Sequence, residues 1–315
     1  MLRTLSRLAA VSAMLATQFP CFAAPTTASA NAAANESIEI PFNYVGDHLI
    51  AVRGGIGARE NLTFLVDLGT TYTLIDRKFA SELKPGDSLA VSHFSTSLST
   101  SEVVLPSLML GPLRVSDFHA YLTDLTEMPV APEGVAGIIG ADFLSQRNVT
   151  FDFAGQKIIF SERVSGSHQT PLEKCSVGYA VRASWKNQPV KLGLSNGVAV
   201  VTLDQDRMRE KPVKLHGTKP GALATKVSIT PVSLFKTSDL TVSNMRLRGN
   251  GVLRKMEWPV AGDNLDGFLP LAALRASRVS LDFARGLLFW DAAEDKIERA
   301  QINQRPAAAN SLRDN

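Results

Sequence analysis

The feature that most constrains this chain is a repeat of 24 residues at a constant spacing of 130. The segment 137–160, GIIGADFLSQRNVTFDFAGQKIIF, aligns without a gap to the segment 267–290, GFLPLAALRASRVSLDFARGLLFW. Six positions are identical, and the apolar positions correspond as well. The repeat predicts two related lobes of about 130 residues each.

The duplication also predicts a partner for the segment 64–76, FLVDLGTTYTLID. The segment 192–203, LGLSNGVAVVTL, lies at the expected distance and has the same order of apolar strand, polar residues, glycine and apolar strand. Matching Gly69 to Gly197 sets Asp67 against Ser195. Because Asp67 follows an apolar run, its carboxylate is expected to be hydrogen-bonded or held for chemistry.

The rest of the chain favours an all-β fold. Short runs rich in β-branched and aromatic residues alternate with Gly, Pro, Asn and Asp, and long amphipathic helix patterns are nearly absent. Asp152 and Asp282 recur at equivalent strand ends, where we expect each carboxylate to cap a turn.

The first residues resemble a secretory signal peptide. Arg3 and Arg7 precede the apolar run 8–16, and a small-residue exit follows at 21–23. Cleavage is expected near Ala23 or Ala24, with Ala30 as the alternative. The chain is therefore predicted to be exported, to the periplasm or the medium.

The predicted organisation has six parts. They are a signal peptide at 1–23, a flexible lead-in at 24–36, an N-terminal lobe at 37–165, a linker at 166–176, a C-terminal lobe at 177–293 and a polar tail at 294–315.

Composition excludes several classes of function. Removal of the predicted signal peptide takes away Arg3 and Arg7 and leaves 31 basic and 30 acidic residues. This balance of charge argues against nucleic acid or an anionic membrane as partner. No further apolar run approaches membrane length, and one remaining cysteine, Cys175, predicts no internal disulfide. The widely spaced histidines and the missing G-x-S-x-G motif argue against a metal centre and a serine nucleophile, and no cofactor is predicted.

The motifs together resemble the aspartic proteases of the retropepsin and pepsin type. FLVDLGTTYTLI is similar to their apolar strand with Asp-Thr-Gly, GIIGADFL to their later apolar pair with glycine, and VTFDF to the strand that follows. The resemblance covers about residues 38–292. It implies two acid-protease-like β-barrel lobes with pseudo-twofold symmetry, and a cleft between them under a mobile hairpin.

Four residues depart from the family pattern. Leu68 replaces a threonine that would brace the two catalytic loops, and Asn196 replaces its counterpart. Ser195 replaces the second aspartate, and Pro270 the glycine that matches Gly140. In the family's chemistry two carboxylates share one proton, so a chain with Asp67 alone lacks the positioned acid.

The resemblance and the motifs define the candidate site. Asp67 is the candidate catalytic residue, with a structural role or ligand contact as alternatives, and Ser195 stands at the position of the second aspartate. His93 and Phe94 fall where the family carries its flap, and a solvated hairpin is the alternative. The candidate substrate-binding residues are Gly69, Thr70, Thr71, His93, Phe94 and Gly197.

Three functions are compatible with this sequence. The first is an aspartic-type endopeptidase with weak or lost activity, and the alternative is a non-catalytic protein that binds peptides by strand addition. A structural or assembly role is the third. The expected partner is a peptide or an unfolded protein segment. The chain is expected to be a monomer, because its second lobe occupies the surface where a partner lobe would dock.

Overall fold

A computed structural model describes residues 37–93, 96–128, 131–212, 218–224, 229–256, 258 and 264–292. The predicted signal peptide, lead-in and polar tail therefore lie outside the described residues. Strands dominate, which confirms the all-β prediction. In the described part of the chain, no helix is long and apolar enough to cross a membrane.

In the first half, the described residues form ten strands and one α-helix. They are β1 (Ile38–Val45), β2 (Leu49–Ile56), β3 (Arg59–Val66), β4 (Leu74–Asp76), β5 (Ser88–His93), β6 (Thr96–Leu110), β7 (Leu113–Thr123), β8 (Val135–Ile139), α1 (Ala141–Leu144), β9 (Asn148–Asp152) and β10 (Lys157–Ser161). Short 3-10 helices occur at Arg77–Phe79 and Leu125–Glu127.

In the described part of the second half there are twelve strands and one α-helix. They are β11 (His168–Cys175), β12 (Gly178–Trp185), β13 (Gln188–Ser195), β14 (Val201–Asp204), α2 (Gln205–Glu210), β15 (Lys219–Ala224), β16 (Ile229–Lys236), β17 (Leu240–Val242), β18 (Met245–Arg246), β19 (Asn250–Arg254), β20 (Gly267–Pro270), β21 (Ala276–Asp282) and β22 (Leu287–Ala292). Two more 3-10 helices lie at Thr237–Asp239 and Leu271–Leu274.

A central antiparallel sheet joins the two halves, with strands in the order β1, β10, β9, β21, β22 and β11. At its middle, Thr150 of β9 stands opposite Ser280 of β21, and their hydroxyl oxygens are 2.7 Å apart. These two residues are related by the spacing of 130 in the sequence, so equivalent positions of the two halves meet there.

The strand pairings of the second half repeat those of the first. β8 pairs parallel to β3 and antiparallel to β4, as β20 does with β13 and β14. The hairpin β5–β6 has its counterpart in β15–β16, and β4–β7 in β14–β19. The two halves therefore present equivalent loops, after β3 and after β13, to each other.

The repeated aspartates cap turns as predicted. Gly155 N–H donates to Asp152 Oδ1 at 2.8 Å, and Arg285 N–H donates to Asp282 Oδ1 at 2.9 Å. A continuous apolar core fills both halves, and it includes Phe64, Phe151 and Trp290. Such packing fixes the backbone of the loops that leave it.

Candidate active site

Asp67 lies at the centre of the contact between the two halves. It follows β3 directly, its N–H donates to Ile139 O of β8 at 3.0 Å, and it is 3% exposed. A buried carboxylate is stable in such a place only if donors surround it. The neighbouring loops supply those donors.

The Asp67 carboxylate accepts five hydrogen bonds from described residues. Within its own loop, Gly69 N–H donates to Oδ1 at 3.0 Å and Thr70 Oγ1 donates to Oδ2 at 2.9 Å. From the second half, Oδ1 accepts from Ser195 Oγ at 3.0 Å, Asn196 N at 2.7 Å and Gly197 N at 3.1 Å. Four of these donors converge on Oδ1, whereas Oδ2 accepts from Thr70 alone and keeps one further acceptor site.

Ser195 stands opposite Asp67, at the place that the sequence alignment gave it. Its hydroxyl donates to Asp67 and accepts from Gly197 N–H at 3.0 Å. A serine hydroxyl has one proton, and here that proton points at Asp67. The arrangement therefore holds one carboxylate and one hydroxyl where a proton-sharing pair needs two carboxylates.

Glycine is required where the two loops meet. A Cβ added to Gly69 would lie 2.8 Å from Ser195 Cβ and 2.9 Å from its Oγ. Such distances are too short for real Cβ contacts, so the two loops approach this closely because residue 69 has no side chain.

The bracing positions of the two loops differ from each other. Leu68 is fully buried in the apolar core, and Asn196 is 6% exposed. The Oδ1 atom of Asn196 is buried and has no hydrogen-bond partner in the described part of the chain. An unpaired buried carbonyl costs about 1–3 kcal/mol, so this loop carries a local penalty.

The other predicted binding residues divide into two groups. Gly69, Thr70 and Gly197 lie in the Asp67 network, and Thr71 Oγ1 donates to Ser176 O of the second half at 2.6 Å. The structure does not test the flap assignment: His93 is described by its backbone in β5, and Phe94 lies outside the described residues.

Asp142 and Thr73 form a supporting network that the sequence analysis missed. Asp142, in α1, accepts from Thr73 N at 2.9 Å and from Thr73 Oγ1 at 2.7 Å. Thr73 Oγ1 in turn accepts from Gly140 N–H at 3.1 Å. Burial raises the pKa of Asp142 above its ordinary value, although the hydrogen bonds from Thr73 act to lower it. The only available signal was an acidic residue in the first turn of a short helix, which is common elsewhere.

The second half lacks an equivalent of this support. Pro270 pairs with Ser195 at the end of β20 and occupies the place that corresponds to Gly140. Proline has no N–H, so the bond that Gly140 makes to Thr73 has no counterpart there. Among the described residues, no group of His, Cys, Asp and Glu could hold a metal ion.

A comparison with known protein families agrees with the motif. A family model described as aspartyl protease matches residues 52–143, which include Asp67 and Gly140. Among solved structures, the aspartic proteinase from Irpex lacteus matches with 14% identity and a TM-score of 0.48, over 80% of this chain and 96% of that chain. No curated protein matches.

Proposed function

This chain is a member of the aspartyl protease family, and we propose that it binds extended peptide segments while its peptidase activity is weak or lost. One observation carries the proposal. Ser195 occupies the position of the missing second carboxylate, and its Oγ donates a hydrogen bond to Asp67. Loss of a positioned acid typically removes about two to four powers of ten in rate.

The surroundings of Asp67 support this conclusion. A general base needs a lone pair within reach of the proton that it removes. Four of the five donors to Asp67 converge on Oδ1, and Thr70 holds Oδ2. The carboxylate thus ties the two loops together through Oδ1, and Oδ2 is the oxygen that keeps a lone pair with which to act on a water.

The hairpin β5–β6 supports peptide binding. In the described pairings, β5 is bonded to β6, and its other edge has no strand partner among the described residues. An extended peptide can add to such an edge through main-chain hydrogen bonds. Peptide segments are also what membership of a protease family implies as partners.

Binding and cleavage are tested together on a reduced, alkylated protein and on labelled peptides derived from it. Anisotropy measures binding, and mass spectrometry measures cleavage from pH 3 to 7. We expect binding with little or no cleavage. Cleavage by the wild type that Asp67→Asn abolishes would establish a working peptidase, and absence of binding at every pH would contradict the proposal.

We further propose export, followed by function outside the cytoplasm. The sequence of residues 1–23 supports this proposal. Expression of the full chain in a bacterial host, followed by fractionation and N-terminal sequencing, tests it. A mature protein that begins at residue 24 or 25 is expected, and an uncleaved cytoplasmic chain would contradict export.

A further inference from the structure

Two tyrosines form an exposed aromatic surface beside the Asp67 loop. Tyr72 is 40% exposed, although it is one of the large hydrophobic side chains of the chain. Its ring lies 4.9 Å from the ring of Tyr121, with an angle of 56° between the ring planes. Tyr121 is itself partly exposed, so both rings offer surface to a ligand.

A carboxylate adjoins these rings. Glu102 of β6 stands directly opposite Tyr121 of β7, and cross-strand side chains have Cβ atoms about 4.5–5.5 Å apart. Its side chain is 43% exposed and pairs with the exposed His119 at 2.7 Å. We call Tyr72, Tyr121 and Glu102 the tyrosine shelf.

The shelf lies within reach of a peptide at Asp67. Tyr72 follows Asp67 by five residues on the same loop, so their Cα atoms are at most about 18 Å apart. The preceding residue, Thr71, donates to Ser176 O of the second half, which places this loop where the two halves meet. An extended peptide of about six residues spans that distance.

The half of the chain that carries the shelf is acidic. Residues 37–165 contain 9 basic and 15 acidic residues, whereas residues 177–293 contain 17 basic and 9 acidic residues. The net charge of the whole chain is therefore small because an acidic half and a basic half offset each other. Burial raises the pKa of Tyr121, and the charges of Glu102 and Asp142 raise it further, as expected beside a negative potential.

We propose that the tyrosine shelf binds a lysine or arginine side chain of the bound peptide, a specificity that rests on the peptide binding proposed above. The aliphatic stem packs on the two rings, and the cation lies near the ring faces and the Glu102 carboxylate. An apolar side chain would cover the same rings but would also displace water from Glu102 without offering that carboxylate a charge or a hydrogen bond of its own, which is unfavourable.

The test uses a fluorescein-labelled decapeptide of Thr and Val with one guest residue, moved through all ten positions. The guests are Lys, norleucine and Glu, and binding is measured by anisotropy. Norleucine keeps the length of the lysine stem without its charge. We expect one position at which Lys binds about two- to fivefold tighter than norleucine, the range for exposed cation–π contacts and ion pairs.

Variants then assign that preference to the shelf. Glu102→Gln keeps the shape and should reduce the Lys preference to the part that the tyrosine rings supply, while Glu102→Lys should favour the Glu guest. Tyr72→Ala should weaken binding of both Lys and norleucine. Tyr44→Ala is the matched control, since Tyr44 is 38% exposed in the same half, packs on Phe42 and should leave the preference unchanged.

The outcomes separate the two proposals. If no peptide binds at any position, the proposed function itself is contradicted. If peptides bind with equal affinity for Lys and norleucine, or if neither Glu102→Gln nor Tyr72→Ala reduces the Lys preference, peptide binding stands and the tyrosine shelf as a cation site is wrong.

Discussion

Asp67 links the two halves of the chain through hydrogen bonds that cross the contact between them. Three of its five donors come from the loop after β13. Hydrogen bonds to a charged group contribute about 1.5–3 kcal/mol each when they are formed in the interior, and an abandoned buried donor costs about 1–3 kcal/mol. The carboxylate is therefore expected to be needed for stability.

Asp67→Asn tests this role at the residue scale. The amide removes the charge that strengthens bonds to Oδ1, so we expect the free energy of unfolding to fall by about 1–3 kcal/mol. Denaturant unfolding followed by tryptophan fluorescence measures it. The control is Asp117→Asn, an exposed aspartate at φ 50°, where asparagine is tolerated. Equal stability of Asp67→Asn and wild type would refute the structural role.

Asn196 allows a second test on the same contact. Its backbone N–H bonds Asp67, whereas its side-chain Oδ1 is buried without a described partner. Asn196→Ala keeps the former and removes the latter, so we expect a change in unfolding free energy of less than about 1 kcal/mol, or a gain. Thermal and denaturant unfolding measure it. A loss above about 2 kcal/mol would show that the carboxamide has a stabilising partner.

Individual residues of the site were predictable to different degrees. Sequence placed Asp67 opposite Ser195, because glycine and apolar positions in the two halves align. It did not predict that Asn196 and Gly197 donate through their backbone, since N–H direction depends on loop conformation. Asp142 was missed for a related reason: its partner Thr73 is 69 residues away.

At the scale of elements, α1 and the Asp67 loop are packed backbone to backbone. Ala141 N–H donates to Thr70 O at 2.8 Å, and Asp142 N–H donates to Thr71 O at 3.1 Å. The start of α1 is therefore in direct contact with the loop that carries the site. Sequence predicted the strands around this contact from their apolar runs, but not the contact itself.

Gly140→Ala should disturb this packing. The added Cβ would lie 2.6 Å from Tyr72 C and 2.7 Å from Thr70 O, both backbone atoms that cannot rotate away. We expect a loss of about 1–3 kcal/mol in unfolding free energy, the usual cost of forced overpacking. In the control, Gly86→Ala, the nearest atom is Glu102 O at 3.3 Å. Equal effects of the two substitutions would contradict the expected loop displacement.

Asp142 predicts a pH dependence for the same element. Burial raises its pKa above the ordinary 3.8, so folding favours the protonated form. Its contribution to stability is full below pH 3.8 and is lost as the pH rises through the raised value. The stability of wild type relative to Asp142→Asn should therefore increase between pH 7 and pH 4. Denaturant unfolding at both values measures this difference, and an opposite trend would contradict the role of burial.

At the scale of the whole molecule, the two halves meet at equivalent positions. Thr150 and Ser280 face each other in the central sheet. Asp67, directly after β3, and Ser195, at the end of β13, face each other where the two halves meet. The glycine match predicted the second pair, whereas the sequence analysis did not predict that Thr150 and Ser280 would meet, although they are related by the same spacing of 130. The opposite charges of the halves were present in the sequence but are masked by the total of +3.

Ser195→Asp tests how far this symmetry extends to chemistry. Two carboxyl groups about 3 Å apart cannot both ionise, so the introduced group should share a proton with Asp67. Its pKa is raised in the folded state, so the variant should gain stability relative to Ser195→Asn as the pH falls from 7 to 4. On a reduced, alkylated protein, mass spectrometry should detect cleavage by Ser195→Asp on the acid side and none by the neutral control.

The loops are still expected to limit cleavage by Ser195→Asp. Leu68 and Asn196 lack the hydroxyl groups that would hold the two carboxyl groups in position. A displacement of about 1 Å costs roughly a hundredfold in rate. Adding Leu68→Thr and Asn196→Thr to Ser195→Asp should therefore raise the cleavage rate by at least about tenfold. If Ser195→Asp shows the expected pH-dependent stability but neither variant cleaves, the proton is shared without catalysis. The missing N–H of Pro270 would then be the element that keeps the second loop out of position, and Pro270→Gly in the triple variant should restore cleavage.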